Sequence, residues 1–411
     1  METKQEQERV ILFAVNLSDE ESSMQSLMEL SELAKTAGAV ILGTLIQNRE
    51  QIHAVTYLGK GKLEELSDLI WETEATGVIC DDELTPVQLR SLSDALDVKV
   101  MDRTLVILDI FAKRAMSAEG KIQVELAQLA YTQARLTGFG RSMSRLGGGI
   151  GTRGPGEKKL EMDRRLINKR MAVLRRELAA VGQHREETRK QRKKSGLPVI
   201  AVIGYTNAGK STLLNALTGA NVLEEDQVFA TLDPTTRIWQ LPDKQEVLLT
   251  DTVGFIRKLP HHLVDAFRST LEEARYADII FHVADAASAD LDVQMHVVYE
   301  TLRELGISDK KIVTLFNKQD KITDEILLKD LKADAVLRIS AREREGFAEL
   351  EQLTAKLLED NNMLLERIVP YAEAAVIQKI RKNGRLLLEE YREEGIYVKA
   401  YVPKSIYNRV V

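Results

Sequence analysis

The stretch LPVIAVIGYTNAGKSTLLNAL (197–217) decides the fold. A β-branched strand runs into Gly204-x-x-x-x-Gly209-Lys210-Ser211, and a helical segment follows. This is the phosphate-loop pattern in the strand–loop–helix context it requires. In such a loop backbone N–H groups cradle phosphates, the lysine neutralises charge between the β and γ groups, and the hydroxyl ligates Mg²⁺. The pattern predicts nucleotide contacts from Gly204, Tyr205, Thr206, Asn207, Ala208, Gly209, Lys210, Ser211 and Thr212.

Three more motifs follow in order. VLLTDTVGF (247–255) ends a second apolar strand with Asp251-x-x-Gly254. Its carboxylate is expected to hold Mg²⁺ through a water, and the Gly254 N–H to meet the γ-phosphate. KIVTLFNKQD (311–320) ends a third strand with Asn317-Lys318-x-Asp320. This motif selects the base. Guanine offers N1–H and N2–H donors that one carboxylate accepts together, whereas the bare N1 acceptor of adenine is repelled by Asp320. Lys318 is expected along the base and Asn317 as a brace. In VLRISAR (336–342) the Ser340-Ala341 backbone reaches the guanine O6, with Arg342 beside it. Together the four motifs exclude an ATPase. Upstream, FATLDPTTRIW (229–239) offers a hydroxyl to complete the metal shell. Thr231, flanked by Phe229 and Ala230, leaves enough chain to reach the metal before a strand over 237–241 that pairs with the Asp251 strand; Thr235 and Thr236 are the alternatives. Lys210, Thr231 and Gly254 are the expected catalytic groups. Where Ras-like enzymes carry a water-orienting Gln after this glycine, Phe255 stands. Phe cannot orient water, so slow intrinsic hydrolysis is expected. His261 and His262, in the second switch, are expected as solvated loop residues.

Outside this unit the charge is uneven. The chain has 411 residues and a net charge of -6. Residues 131–196 hold 18 Lys and Arg against six Asp and Glu, a local +12 that leaves -18 elsewhere. A basic insert in an acidic protein suggests a face for a polyanion. Mostly apolar residues recur at spacings of three and four in 118–137 (Ile122, Leu126, Leu129, Gln133, Leu136) and do the same in 157–195 (Leu160, Ile167, Met171, Leu174, Leu178, Val181). Two such stripes predict an antiparallel helical hairpin, with a partly helical charged linker after Gly182. Between them, TGFGRSMSRLGGGIGTRGPGE (137–157) holds eight of the chain's 24 glycines. Arg141, Arg145 and Arg153 in this expected tip loop, 138–156, are suited to grip phosphates or stack on bases.

The N-terminal part alternates strand-like segments (10–17, 39–47, 76–82, 97–103) with helical ones, which predicts a small, mostly parallel α/β layer. In it, YLGKGKLEEL (57–66) places two glycines and two lysines before a helix. Such a turn can present amides to an anion, but an ordinary strand–helix turn is the simpler expectation. The C-terminal residues read as one helix and two strands. The expected fold is α/β: residues 1–115 an N-terminal α/β domain, 116–195 the basic hairpin, 196–365 a P-loop GTPase domain, and 366–411 a small α+β appendage. No run of eighteen apolar residues suggests a membrane span. The charged start METKQEQERV has no signal-peptide character, and the single Cys80 excludes an internal disulfide or a Cys-rich zinc site. A soluble, cytosolic monomer is expected.

GYTNAGKST, FATLDPTTR and DTVGFIRKLPHHLVDAFRSTLEEA resemble the HflX-type GTPases of the translation-factor class. YLGKGK, LDIFAKRA, EGKIQVELAQL and GGGIGTRGPGEKKLEMDRR are similar to that family's own N-terminal region, so the likeness covers most of 10–340. It implies a GTP- and Mg²⁺-dependent enzyme that binds the large ribosomal subunit and splits stalled or idle ribosomes in its GTP state. It implies a hairpin loop reaching rRNA near the peptidyl-transferase centre, with Arg141, Arg145 and Arg153 as the carried-over contacts, and slow, ribosome-stimulated hydrolysis matching Phe255. For some members it implies ATP binding by the N-terminal domain, with YLGKGK as a site, or protection against antibiotics acting on the large subunit. No residue separates a protective protein from a housekeeping one. A large-subunit assembly GTPase and a protein-partner signalling GTPase share the nucleotide motifs.

Overall fold

The structure is a computed structural model of the chain. It describes residues 7–17, 20–146, 155–195, 197–219, 229, 234–242, 244–258, 273–307, 309–322, 327–359, 362–403 and 407. The chain divides into two compact units. One comprises residues 1–180 with 227–229 and 257–267; the other comprises 181–226, 230–256 and 268–411.

In the first unit β1 (Arg9–Asn16), β2 (Val40–Asn48), β3 (Gly77–Cys80) and β4 (Lys99–Asp102) form a parallel sheet in the order β2-β1-β3-β4. A parallel strand covered on both faces reads as a continuous apolar run, and every residue from Val10 to Val15 is buried. The connecting helices are α1 (Glu20–Ala37), α2 (Lys60–Thr73), α3 (Pro86–Leu96) and α4 (Arg103–Arg114). Thr85 opens α3 with a reciprocal capping box to Gln88.

Two long helices follow, α5 (Ala118–Leu146) and α6 (Pro155–Ser195). Both exceed the sequence expectation. Helix α5 continues through Gly138 and Gly140 to Leu146, and α6 starts at Pro155, so both helices reach into the irregular tip expected over 138–156; residues 147–154 lie outside the described residues. Each glycine costs a helix about 1 kcal/mol, and the flanking Leu, Arg and Met residues favour helix. Helix α6 runs to Ser195 without a break at Gly182, because Glu, Arg, Lys and Gln in HREETRKQRKKS are good helix formers. The pair is cross-linked by Gln133 Nε2 donating to Asn168 Oδ1 at 2.7 Å and by Arg170 gripping both oxygens of Glu125 at 2.6 and 2.9 Å.

One buried carboxylate roots this hairpin. Asp102, at the end of β4, is fully buried. It accepts from the N–H groups of Leu84 and Leu105 at 3.1 and 3.0 Å and from the Tyr131 hydroxyl at 2.8 Å, and it pairs with Arg135. A charge this deep is tolerated only when its lone pairs are all engaged. Removing it would loosen α5 from the sheet.

In the second unit β5 (Val199–Gly204), β6 (Thr235–Gln240), β7 (Glu246–Asp251), β8 (Ile279–Asp285), β9 (Lys311–Asn317) and β10 (Ala335–Arg338) form one sheet in the order β10-β9-β8-β5-β7-β6. Only β6, antiparallel to β7, breaks the parallel pattern. It starts at Thr235, two residues before the strand expected at 237–241. Helices α7 (Lys210–Thr218), α8 (Leu291–Glu304) and α9 (Phe347–Glu359) accompany the sheet. After it in the chain, β11 (Asn362–Val369), β12 (Arg385–Arg392) and β13 (Gly395–Pro403) make an antiparallel sheet in the order β11-β13-β12, with α10 (Ala375–Asn383) packed on it. Strand β11 was not expected. It runs across the 365/366 boundary, so the small C-terminal sheet begins at Asn362.

Candidate nucleotide-binding site

The four motifs sit where the chain leaves the carboxyl ends of parallel strands, the usual ligand edge of an open α/β sheet. Strand β5 delivers the phosphate loop, β7 delivers Asp251, β9 delivers Asn317, and β10 leads to Ser340.

The phosphate loop closes on itself. Lys210, almost fully buried, donates from Nζ to the Tyr205 carbonyl at 2.8 Å. Helix α7 begins at Lys210 with no side-chain cap, so its first N–H groups point into the loop. Glycine is obligatory at 209: φ is +93°, and a Cβ would lie 2.3 Å from Asn317 Nδ2. Ala208 is buried, Thr206 and Asn207 form the turn, and Thr212 lies in the first turn of α7.

Ser211 Oγ donates to Asp251 Oδ2 at 2.8 Å. A hydroxyl and a fully buried carboxylate side by side are hard oxygen donors of the kind that suits Mg²⁺. Thr252 holds the strand end by donating to the Val202 carbonyl at 2.9 Å. Of the candidate switch threonines, Thr231 lies outside the described residues, as does Ala230. Thr235 and Thr236 belong to β6, paired opposite Asp251 and Thr250, and the Thr236 hydroxyl lies 3.0 Å from that of Thr250. His261 and His262 also lie outside the described residues.

The base-selecting residues converge. Asn317, 2% exposed, donates from Nδ2 to the Ala208 carbonyl at 2.8 Å and accepts from the Ala341 N–H at 2.9 Å. It braces the phosphate loop and the Ser340-Ala341 turn at once. Ser340 Oγ donates to Asp320 Oδ1 at 2.6 Å, which aims the carboxylate. Lys318 adopts a left-handed conformation, and its Nζ pairs with Asp285 Oδ2 at 2.8 Å. Asp285 had no role in the sequence reading. Its signal was its place at the end of β8, beside the strand that carries Lys318. Arg342 is exposed, near Glu343.

Electrostatics favour an anion. Burial pushes the Lys210 ammonium down to about 8, with Lys318 adding to the shift and Asp251 opposing it. The buried lysine thus lacks the full counter-charge that a phosphate would bring. Because the shifted group is a cation, it is charged below about pH 8 and neutral above, so phosphate affinity falls as pH rises through that value. GDP titrations should show a roughly fourfold loss of affinity between pH 7 and 8.5. A flat profile would refute this assignment. Beneath the site, burial holds His282 down to about 4, so it is neutral beside Thr314 and Asp330.

Two segments flanking these motifs belong to the first unit. There Lys258 Nζ lies 2.5 Å from Asp81 Oδ2 and 2.6 Å from Asp82 Oδ1. Burial alone would raise the Asp81 carboxyl, but the charges of Arg103 and Lys258 outweigh it and hold the group below its usual range. The Phe229 ring stands edge-on to Phe111, centroids 4.6 Å apart. Phe229 is thus engaged by an aromatic side chain; its expected nucleotide contact finds no support in this packing.

A phosphate loop, a DxxG strand end, an NKxD turn and a Ser-Ala turn on one edge of a six-stranded sheet define a P-loop GTPase. Residues 24–112 match the family described as GTP-binding GTPase N-terminal, residues 114–192 its middle region, and residues 199–318 the family described as 50S ribosome-binding GTPase. The GTPase HflX of Lacrimispora saccharolytica is 62% identical over 99% of this chain and 96% of its own length. That of Caldanaerobacter subterraneus is 48% identical over 100% of this chain and 94% of its own. That of Escherichia coli is 42% identical over 74% of this chain and 72% of its own. The chain belongs to the HflX family of GTPases: it binds guanine nucleotide and hydrolyses GTP. Among the described residues no helix is long and apolar enough to cross a membrane.

Proposed function

We propose that this GTPase binds the large ribosomal subunit and splits stalled or idle ribosomes in its GTP state. The observation that carries the proposal is the basic hairpin. Helix α6 exposes Arg165, Lys169, Arg175 and Arg176 on a helix pair anchored at its base by buried Asp102. An anchored, cationic arm suits rRNA. The side chains of Arg141 and Arg145, and all of Arg153, lie outside the described residues; as the tip's cations they are assigned to rRNA near the peptidyl-transferase centre.

Ser211, Asp251 and Thr231 would hold Mg²⁺, which neutralises phosphate charge when bound. Lys210 and the Gly254 amide take the terminal phosphate, and that contact orders both switch loops. The ordered form docks the hairpin on the free subunit better than on the joined ribosome, and this difference in affinity drives splitting. Hydrolysis releases the factor. Phe255 offers no hydrogen bond to water, so turnover alone is slow and the ribosome accelerates it. A cytoplasmic monomer fits this role, and protection against large-subunit antibiotics is a further consequence where the drug stalls ribosomes. For the YLGKGK turn we favour a plain strand–helix connection over an ATP site. The Gly59 amide donates to Gln47 Oε1 at 2.8 Å, and Lys62 pairs with Glu65 at 2.8 Å.

GTP turnover alone and with purified large subunits tests the reading. A stimulation of at least tenfold is expected, lost when Arg141, Arg145 and Arg153 are all replaced by Gln. Equal turnover with and without subunits would leave the GTPase in place but move the hairpin to a protein-partner role. Sedimentation of joined ribosomes with a slowly hydrolysed GTP analogue separates splitting from an assembly role, which predicts no dissociation.

A further inference from the structure

The lysine of the NKxD turn is held by a residue that lies outside every nucleotide motif. Lys318 has a left-handed backbone, φ 65°, which is uncommon for a lysine. With that backbone its Nζ reaches the end of the neighbouring strand and pairs with Asp285 Oδ2 at 2.8 Å. The side chains of Lys318 and Asp285 are 17% and 20% exposed, so the pair is largely desolvated and is not a surface bridge. Among the described residues no other carboxylate pairs with Lys318.

Asp285 is itself fixed. It is the last residue of β8, in register with Asn317 of β9, and the Ala286 N–H donates to the Asn317 carbonyl at 3.0 Å. Asp285 Oδ1 accepts from the Ala287 N–H at 3.1 Å, in the turn that follows the strand. An asparagine would serve that turn equally well, because Asn and Asp both bond the backbone two residues on. The other oxygen, Oδ2 on Lys318, is what calls for a carboxylate. The lysine has a matching need. Its four-carbon stem loses more rotamer freedom on ordering than most side chains do. Lys318 stands between Asn317 and Asp320 in the base-selecting turn, and a stem laid along the base is kept there by a fixed partner for the ammonium at its far end.

We propose that Asp285 is a positioning residue of the base pocket. It orders Lys318 along the guanine, so that nucleotide binding does not bear the cost of immobilising that side chain. GDP and GTP share the base, so both gain from it alike. The inference rests on the guanine-nucleotide site and not on the ribosome, so its test contains no ribosomes.

The test is a double-mutant cycle on the full chain. Asp285→Asn and Lys318→Gln are made singly and together and titrated with GDP and with a non-hydrolysable GTP analogue. Asp285→Asn should weaken both ligands about tenfold where Lys318 is present, and less than about twofold where it is already Gln. Equal losses in the two backgrounds would mark a merely structural role and overturn the proposal, as would a loss confined to one nucleotide. Turnover gives a second reading. In Asp285→Asn the KM for GTP should rise about tenfold while kcat stays within about twofold. A fall in kcat at constant KM overturns it. Side-chain NMR of the unaltered, nucleotide-free chain does not depend on any variant folding. The Lys318 ammonium should exchange its protons at least about tenfold more slowly than that of exposed Lys244. Equal exchange at the two lysines also overturns the proposal.

Discussion

Replacing Asp320 by Asn is expected to abolish tight binding of GDP and GTP and to create a site for xanthine nucleotides. Guanine presents N1–H and N2–H side by side, and a carboxylate accepts from both. An amide has one acceptor and one donor, so its N–H₂ meets a guanine donor head-on. Hydrogen bonds to a charged partner contribute about 1.5–3 kcal/mol each. Losing both predicts an affinity drop of roughly 10² to 10⁴. Xanthine carries a carbonyl in place of the N2 amine, and the new amide can donate to it. The change is local here. Ser340 Oγ, which donates to Asp320 Oδ1 at 2.6 Å, can donate equally well to an amide oxygen, so the turn keeps its shape. Titration of the variant with GDP and XDP decides the matter. GDP affinity within threefold of the parent would show that Asp320 does not read the base.

Much of this site was legible because each of its parts is a short-range pattern. Strands buried on both faces give VIAVI, VLLT and KIVTLFN as mostly apolar runs, and the chemistry follows at the first turn after each. The N-terminal sheet was legible for the same reason. What escaped were pairings between distant residues and patterns without a clean period. Asp285 and Lys318 are 33 residues apart, as are Asp102 and Arg135, and Lys258 and Asp81 are 177 apart. No spacing rule reaches that far. Among the residues of NMLLERIV whose burial is described, Leu365 and Val369 are the buried ones, four residues apart, with Glu366 and Arg367 between them. That spacing suits a helix as well as a strand, so the segment at the 365/366 boundary carried no strand signal. The glycines at 138 and 140 misled in the other direction. They argued for a loop, yet a helix already 20 residues long carries two of them at modest cost. Phe255 was legible as a departure from the usual glutamine. Its hold on the phosphate loop, an N–H donated to the Gly204 carbonyl and a carbonyl accepting from the Thr206 N–H, was not, because that hold is made by main-chain atoms any residue possesses.

Replacing Asn317 by Ala should have the second-largest effect, because one side chain serves two parts of the site. Its Nδ2 bonds to the Ala208 carbonyl and its Oδ1 to the Ala341 N–H, and both residues are buried, 0% and 3% exposed. Alanine leaves both backbone groups without that partner. A buried polar group stranded in this way costs about 1–3 kcal/mol, so with two such groups the unit should lose roughly 2–6 kcal/mol of stability. Nucleotide affinity should fall by about 10²-fold, since the phosphate loop and the O6-facing turn lose their common brace. Asn317→Asp separates packing from bonding. A carboxylate still accepts from Ala341 but meets the Ala208 carbonyl with an acceptor, so the phosphate end should suffer and the base end should not. GDP affinity should then fall while the preference for guanine over hypoxanthine nucleotides stays intact. Thermal unfolding and GDP and IDP titrations of both variants supply the measurements. If Asn317→Ala melts and binds like the parent, the brace is ornamental, and the phosphate loop must owe its shape to Gly204, Gly209 and the Lys210–Tyr205 contact alone.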